Sequence, residues 1–213
     1  MSIKDGKIFG IGINDANYKL SNWEIIEGVY CPSGRKKYKC TWRCPYYSKW
    51  RSMLQRCYDS NYHKTRPTYK EVAVCEDWHL FSKFRQWMVK QDWRGKHLDK
   101  DIVCPNKVYS PETCVFITKE VNMLLLDSGA TRGKYQQGVA YRKDCRKFQA
   151  NCRSVGKSKN LGLFPTEALA YEAYVNYKHN LILEVAAEQE DHRVRDGLLL
   201  HAQILLDTLE DNE

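Results

Sequence analysis

No stretch of the 213-residue sequence approaches the roughly 20 consecutive apolar residues a membrane-spanning helix needs. The opening Met1-Ser2-Ile3-Lys4-Asp5 also lacks the apolar core of a secretory signal. No membrane partner is expected, and a cytoplasmic location is. A serine triad and a phosphate-cradling glycine loop are missing as well, Gly10-Ile11-Gly12 being too short to count, and no internal repeat is visible. Cysteine is not scarce, but the nine cysteines form an odd, scattered set, which excludes a dense disulfide scaffold. Cys40 and Cys44 lie close together, and Cys57 and Cys75 could complete a zinc set. A second close Cys or His pair is lacking, so ordinary thiols are expected and structural Zn²⁺ is not. His63, His79, His179, His192 and His201 read as surface or satisfied core residues.

What is present is a net charge of +8 with an uneven distribution. From Arg132 to Lys159 the chain carries nine basic residues and one acid, Asp144, leaving 25 basic and 25 acidic residues elsewhere. A cluster of that kind attracts phosphate through counterion release. The chain, 43% hydrophobic, is long enough for one or two modest cores, and two small units fit better than one large one.

Residues 1–45, rich in Gly, Asn, Tyr and Lys, read as an N-terminal extension with no assignable chemistry. Tyr47, Trp50, Met53, Leu54 and Cys57 recur at helical spacing, predicting a helix from Pro45 to about Asp59. Val72-Ala73-Val74-Cys75 predicts a short strand, and Asp77 is placed to cap a helix bearing Trp78, Phe81, Phe84, Trp87 and Met88. A hairpin follows, from His97 to Val103 and, beyond a turn at Pro105-Asn106, from Val108 to Ile117. Thr118 then caps a helix over 119–125. The small residues of 127–133 mark a linker. Three strands come next, Gly138 to Lys143, Lys147 to Val155 and Lys159 to Phe164, with a turn at Gly156-Lys157, followed by a helix from Thr166. A C-terminal amphipathic helix with an acidic tail ends the chain. The expected fold class is α+β, with four segments: the extension 1–45, a unit over 46–131, a basic sheet domain over 132–186 and the helix and tail 187–213.

Alternation along the middle strand turns Phe148, Ala150 and Cys152 toward the helix and Gln149, Asn151 and Arg153 outward. Arginine offers a bidentate fork to guanine, and Gln and Asn offer a paired donor and acceptor to adenine. Gly138-Val139, Phe148 to Arg153, Gly156-Lys157, Leu161-Gly162-Leu163-Phe164, Thr166-Glu167-Ala168 and Ala170-Tyr171 together resemble the Apetala-type, or ethylene-response-factor, DNA-binding domain over about a fifth of the chain. That resemblance implies a three-stranded antiparallel sheet in the major groove, backed by one helix. Arg142, Gln149, Asn151 and Arg153 would contact bases of double-stranded DNA, with Lys157 and Lys159 on phosphate. Phe148 replaces the family's usual tryptophan, and the first turn carries one extra residue, so base preference does not carry over.

The segment Leu98 to Asn122 resembles the ββα core of HNH homing and nicking endonucleases that use Asp, His and Asn. The wider pattern, from Trp50-Arg51-Ser52-Met53-Leu54-Gln55-Arg56-Cys57-Tyr58 to Tyr109-Ser110-Pro111-Glu112-Thr113-Cys114, resembles phage HNH endonucleases that carry an Apetala-type domain behind. The implied metal ligands are Asp99 and Asn122, a hard oxygen set suited to Mg²⁺ or Mn²⁺. Lys100 stands where the family has its general-base His. As a base, Lys100 needs a depressed pKa. His97, on the same strand face as Asp99, is a second catalytic candidate, and Asp101 has a competing claim as ligand. The expectation is a metal-dependent, sequence-specific DNA endonuclease or nickase of a phage or mobile element, working in a bacterial host cell. The alternative is a non-catalytic duplex-binding regulator or decoy with a degenerate hairpin.

Overall fold

The computed structural model describes residues 3–4, 6–103, 107–126, 133–154 and 157–210, with only the backbone at 3, 4, 154 and 157. The fold is mixed helix and sheet, α+β. In chain order the strands and helices are β1 (Ile3–Lys4), β2 (Lys7–Ile8), β3 (Ser21–Tyr30), β4 (Lys36–Arg43), α1 (Pro45–Tyr58), α2 (Ser60–Thr65), β5 (Ala73–Val74) and α3 (Phe81–Met88). There follow β6 (His97–Asp99), β7 (Val108–Tyr109), β8 (Val115–Ile117), α4 (Lys119–Leu125), β9 (Val139–Arg142), β10 (Lys147–Ser154), β11 (Lys157–Phe164), α5 (Glu167–Ala187) and α6 (His192–Glu210). The chain forms two compact units, Met1–Trp93 with Asn106–Cys114, and Arg94–Pro105 with Val115–Glu213. The segment 46–131 is therefore shared between them: β6, β8 and α4 belong with the basic sheet. Among the described residues no helix is long and apolar enough to cross a membrane.

In the first unit the helical stripe expected from Pro45 is realised. Trp50, Met53, Leu54 and Cys57 of α1 are buried with Trp78, Phe81, Phe84 and Met88, and the Trp50 indole donates to the Trp78 carbonyl at 2.6 Å. Asp59 ends α1 and caps the short α2, accepting from the Asn61 N–H. Asp77 does not cap α3. It lies in a 3₁₀ turn, Glu76–His79, and the Asp15 carboxylate accepts from the Ser82 N–H at 2.8 Å instead. Burial pushes the Asp15 carboxyl up, but the Ser82 hydrogen bonds outweigh it and hold it below the ordinary value. A helix N-terminus left short of donors' partners is costly, so a distant carboxylate serves where the local one faces elsewhere. β7 pairs in parallel with β5, Ala73 opposite Val108 and Val74 opposite Tyr109. The stretch between β6 and β8 thus runs through a second pairing rather than a tight turn, and the turn expected at Pro105-Asn106 lies outside the described residues.

The second unit holds β6 and β8, antiparallel with Asp99 opposite Val115, then α4, whose Thr118 cap accepts from the Val121 N–H. The three-stranded antiparallel sheet runs in the order β11-β10-β9, and α5 packs across all three strands. Ala150 and Cys152 are buried against α5, with Cys152 in a cluster with Tyr174 and Val175. A second cluster joins Ile102, Val115, Ile117, Val121 and Leu124 to Ile182 and Ala186 of α5 and Val194, Leu198 and Ala202 of α6. The C-terminal helix is thus core material for this unit.

Gly138 leads into β9 with φ +79°, and a Cβ there would lie 2.1 Å from the Tyr174 ring. Only glycine combines that left-handed backbone with so close an approach. Gly138→Ala should cost about 2–4 kcal/mol of stability, read as a lower urea midpoint at unchanged slope. A loss under about 0.5 kcal/mol would mean that Tyr174 has room to swing away.

Candidate active site and nucleic-acid interface

Asp99 ends β6, and its Oδ1 accepts from the backbone N–H groups of Asp101 and Ile102, each at 2.9 Å. An aspartate closing a turn on its own downstream amides is a local device that frees the backbone from the ladder. The turn is held from below, because Ile102 is buried and Gly197 of α6 sits on its backbone. A Cβ on Gly197 would come within 2.2 Å of the Ile102 carbonyl oxygen. Lys100 is 7% exposed, and its ammonium pairs with the exposed Asp101 carboxylate. Asp101 is thus committed to Lys100.

His97 is exposed at the start of β6. It lies within electrostatic reach of Glu120, whose carboxyl is held below its usual value first by its own backbone and the Thr118 hydroxyl, then by Lys119 and His97. Asn122 lies half-buried in α4, its N–H bonded to the Thr118 carbonyl, and α4 packs on β6. A carboxylate and an amide are hard oxygen donors, the class that a divalent ion keeping most of its waters takes. Among the described residues no three His, Cys, Asp or Glu side chains group as metal ligands.

One residue here was read in the sequence only as a surface or satisfied core histidine. His201 of α6, one turn beyond Gly197 on the same helix face, has its pKa lowered by burial, and the nearby Asp99 and Asp101 carboxylates offset only part of that. The turn after β6 therefore lies within electrostatic reach of an imidazole whose protonation burial disfavours. Sequence holds no signal for this proximity, since about a hundred residues separate the partners.

On the sheet, the Arg142 guanidinium donates through Nε and Nη2 to both oxygens of Asp144, at 3.1 Å each, and through Nη1 to Gln149 Oε1 at 3.2 Å. The structure therefore brings Arg142 and Gln149 together. The Arg142 fork holds the Asp144 carboxyl below its ordinary value. Asn151 and Arg153 lie further along β10, beyond the end of β9, and line a cavity of about 400 Å³ with Met123, Leu126, Tyr174 and Lys178. Lys157 opens β11, and its side chain lies outside the described residues. Lys159 sits opposite Cys152 and so shares the helix-facing side, its ammonium 4.6 Å from the Tyr177 ring centre. The cause is a bulge at Leu161, between the pairs Ala150–Gly162 and Asn151–Asn160, which reverses the alternation along the start of β11.

Lys178, 8% exposed, is a second residue the sequence reading passed over. Its ammonium lies over the Tyr174 ring at 5.9 Å, and it eases the upward push that burial gives the Cys152 thiol. Its signal was present: Ala170, Tyr174, Lys178, Ile182 and Ala186 form a buried stripe at spacing four, and a lysine inside such a stripe is out of place unless it lines a cavity.

Comparison with protein families, with curated proteins and with solved structures finds no match for this chain.

Exposed ion pairs are held weakly, so the Arg142 fork can exchange Asp144 for a polyanion. Asp144→Ala should raise duplex DNA affinity severalfold at low salt, by removing both the competing carboxylate and a negative charge. Lys159→Ala should change that affinity less than Arg142→Ala, because Lys159 lies over Tyr177. Fluorescence anisotropy with labelled duplex, titrated at two salt concentrations, checks both. An unchanged or weakened Asp144→Ala complex would show that Arg142 is not a DNA contact.

Proposed function

We propose that the chain is a duplex-DNA-binding endonuclease that nicks, reading its site with the sheet of β9, β10 and β11 and cutting beside Asp99. The observation that carries the DNA half is the Arg142–Gln149 pair on a basic three-stranded sheet, a juxtaposed fork and amide of the kind that reads base edges. Arg142, Gln149, Asn151 and Arg153 supply the base contacts, and Lys157 the phosphate contact. Lys159 reaches phosphate only by leaving Tyr177.

The cutting half is supported by the order β6, β8, α4, with Asp99 at a strand end and Asn122 on the helix packed against it, which resembles the HNH arrangement. When bound to the oxygens of Asp99 and Asn122, Mg²⁺ or Mn²⁺ supplies charge stabilisation on the scissile phosphate. Lys100 anchors Asp101 and keeps the turn rigid. His201 of α6, within electrostatic reach of Asp99 and Asp101 and disfavoured from protonation by burial, is the candidate proton acceptor, a role the family gives instead to the residue after the aspartate. A single such unit works on one strand at a time, so a monomer nicks.

A second reading, a non-catalytic duplex binder, is favoured by one observation: Lys100 replaces the expected base and is paired with Asp101. Supercoiled plasmid in Mg²⁺ separates the two. Relaxed circles that vanish with EDTA support the nuclease, and persistent supercoils with a clear gel shift support the binder.

Asp99→Asn is the informative variant, since the amide oxygen still accepts from Asp101 and Ile102 while the charge is gone. Nicking should fall about 100-fold or more, with the thermal midpoint and the gel shift nearly unchanged. His201→Ala should also slow nicking by about 100-fold if the imidazole is the base. Asp99→Asn nicking at the normal rate in metal-controlled assays would remove Asp99 from the site.

A further inference from the structure

The proposed function draws on the second unit alone, and residues 19–43 of the first unit form a β-ribbon that it leaves unused. Among the described residues β3 and β4 pair only with each other, and neither packs extensively on another element. None of residues 21–43 is buried. A lone two-stranded ribbon is marginal in water, and this one displays large side chains. Trp23 pairs with Cys40 and Ile25 with Tyr38, so cross-strand neighbours place Trp23, Ile25 and Tyr38 on one face, exposed to 48%, 47% and 55%. Arg43 lies over the Trp23 ring at 5.8 Å, and the Trp23 indole donates to the Ser21 hydroxyl, which holds the ring in place. The far end is closed by the Cys31 N–H on the Arg35 carbonyl at 2.8 Å, putting Arg35, Lys36 and Lys37 at the tip.

From Lys19 to Arg43 there are six basic residues (Lys19, Arg35, Lys36, Lys37, Lys39, Arg43) and two acids, Glu24 and Glu27. Two copies of so basic a ribbon repel, which disfavours self-association and favours a polyanion. The apolar face selects among polyanions. Its Trp and Tyr rings offer stacking surface, whereas its one guanidinium is already laid on Trp23, so it has little with which to read base edges in a groove. Bases in a duplex are already stacked, while those of a single strand are available.

We propose that the β3–β4 ribbon is a second nucleic-acid site that takes a single strand, its bases stacking on Trp23 and Tyr38 and its phosphates meeting the basic tip. This goes beyond duplex reading by the sheet and does not depend on it. The ligand chemistry is a sugar-phosphate strand with unstacked bases, and parallel DNA and RNA oligonucleotides tell which sugar is preferred.

The test uses the full chain and labelled oligo-dT and oligo-rU of about 20 nucleotides, beside a mixed-sequence duplex, read by anisotropy and tryptophan quenching. Single strands should bind and quench. Trp23→Ala with Tyr38→Ala should weaken them about tenfold or more, while duplex affinity stays within about twofold. Trp23→Phe keeps a ring and should retain most of the affinity, and Arg35→Ala with Lys36→Ala and Lys37→Ala should flatten the salt dependence. Gln149→Ala with Arg153→Ala should do the reverse, losing duplex and sparing single strands, so that failure of the sheet reading is told apart from failure of this one. The side chains changed are exposed, and unaltered thermal unfolding confirms the fold. Single-strand affinity untouched by the double aromatic variant overturns the proposal. So does equal loss of single strand and duplex, or a concentration-dependent dimer that the variant dissolves without altering single-strand binding.

Discussion

The approach of Gly197 to the Ile102 backbone governs the second unit. A glycine in the first half of α6 lets that helix lie directly on the turn after β6, and the apolar side chains around the contact then close into one core. Ile102, Val115, Ile117, Val121 and Leu124 come from the ββα segment, Ile182 and Ala186 from α5, and Val194, Leu198 and Ala202 from α6. α5 meets that core toward its C-terminal end and the sheet toward its middle, where Tyr174 and Val175 cover Cys152. A helix buried on two sides cannot be amphipathic in the ordinary sense. That accounts for a sequence over 167–187 with apolar residues nearly all round. Any residue larger than glycine at 197 would lift α6 from the turn and loosen the support beneath Asp99.

What the sequence made legible was what depends on local pattern. The stripe Trp50, Met53, Leu54, Cys57 marked α1, Thr118 and Thr166 marked the starts of α4 and α5, and the alternation Phe148, Ala150, Cys152 marked the buried face of β10. What it hid depends on distant contacts or on a break in pattern. β5 and β7 are two residues each, too short for any periodic signal, and their parallel pairing joins residues 35 positions apart. Asp77 looked like a cap because aspartate commonly is one, but Asp15 fills that role from far upstream. Counting back from Phe164 by twos turns Lys159 outward; the extra residue Leu161 in β11 reverses the count, and Lys159 ends over Tyr177. The candidate site was half visible. Asp99 and Asn122 were found by resemblance, whereas His201 could be found only after α6 was placed.

Charge is arranged differently on the two basic surfaces. On the sheet, the Arg142 fork is occupied by Asp144 and bonded to Gln149, so a planar anionic partner has to displace a carboxylate to use it. On the ribbon, the basic side chains gather at the tip and along one strand, while Trp23 and Tyr38 share one face. The first arrangement suits recognition by directed hydrogen bonds, and the second suits contact that tolerates any base. The balance of 25 basic and 25 acidic residues outside the Arg132–Lys159 window concealed the ribbon, because acids elsewhere cancel its excess. A tally over the whole remainder loses a local cluster that the strand pairing recovers.

Asp99 carries two demands at once, and they bear on how any loss of function there is read. As a turn residue it satisfies two backbone amides above a buried isoleucine, so removing its oxygen leaves those donors to find water at the edge of the core, at a cost of about 1–3 kcal/mol. As a metal ligand it would supply the carboxylate charge of the site. Alanine at 99 removes both functions and leaves the cause of an inactive protein ambiguous. Asparagine keeps the acceptor and removes the charge, and so divides the two demands along the line between fold and chemistry. The same logic applies to Lys100, whose ammonium ties down Asp101: histidine there would restore the family's base and release Asp101 together. A change in nicking by Lys100→His therefore reports on the base only if Asp101→Asn, which breaks the same ion pair, leaves the rate alone.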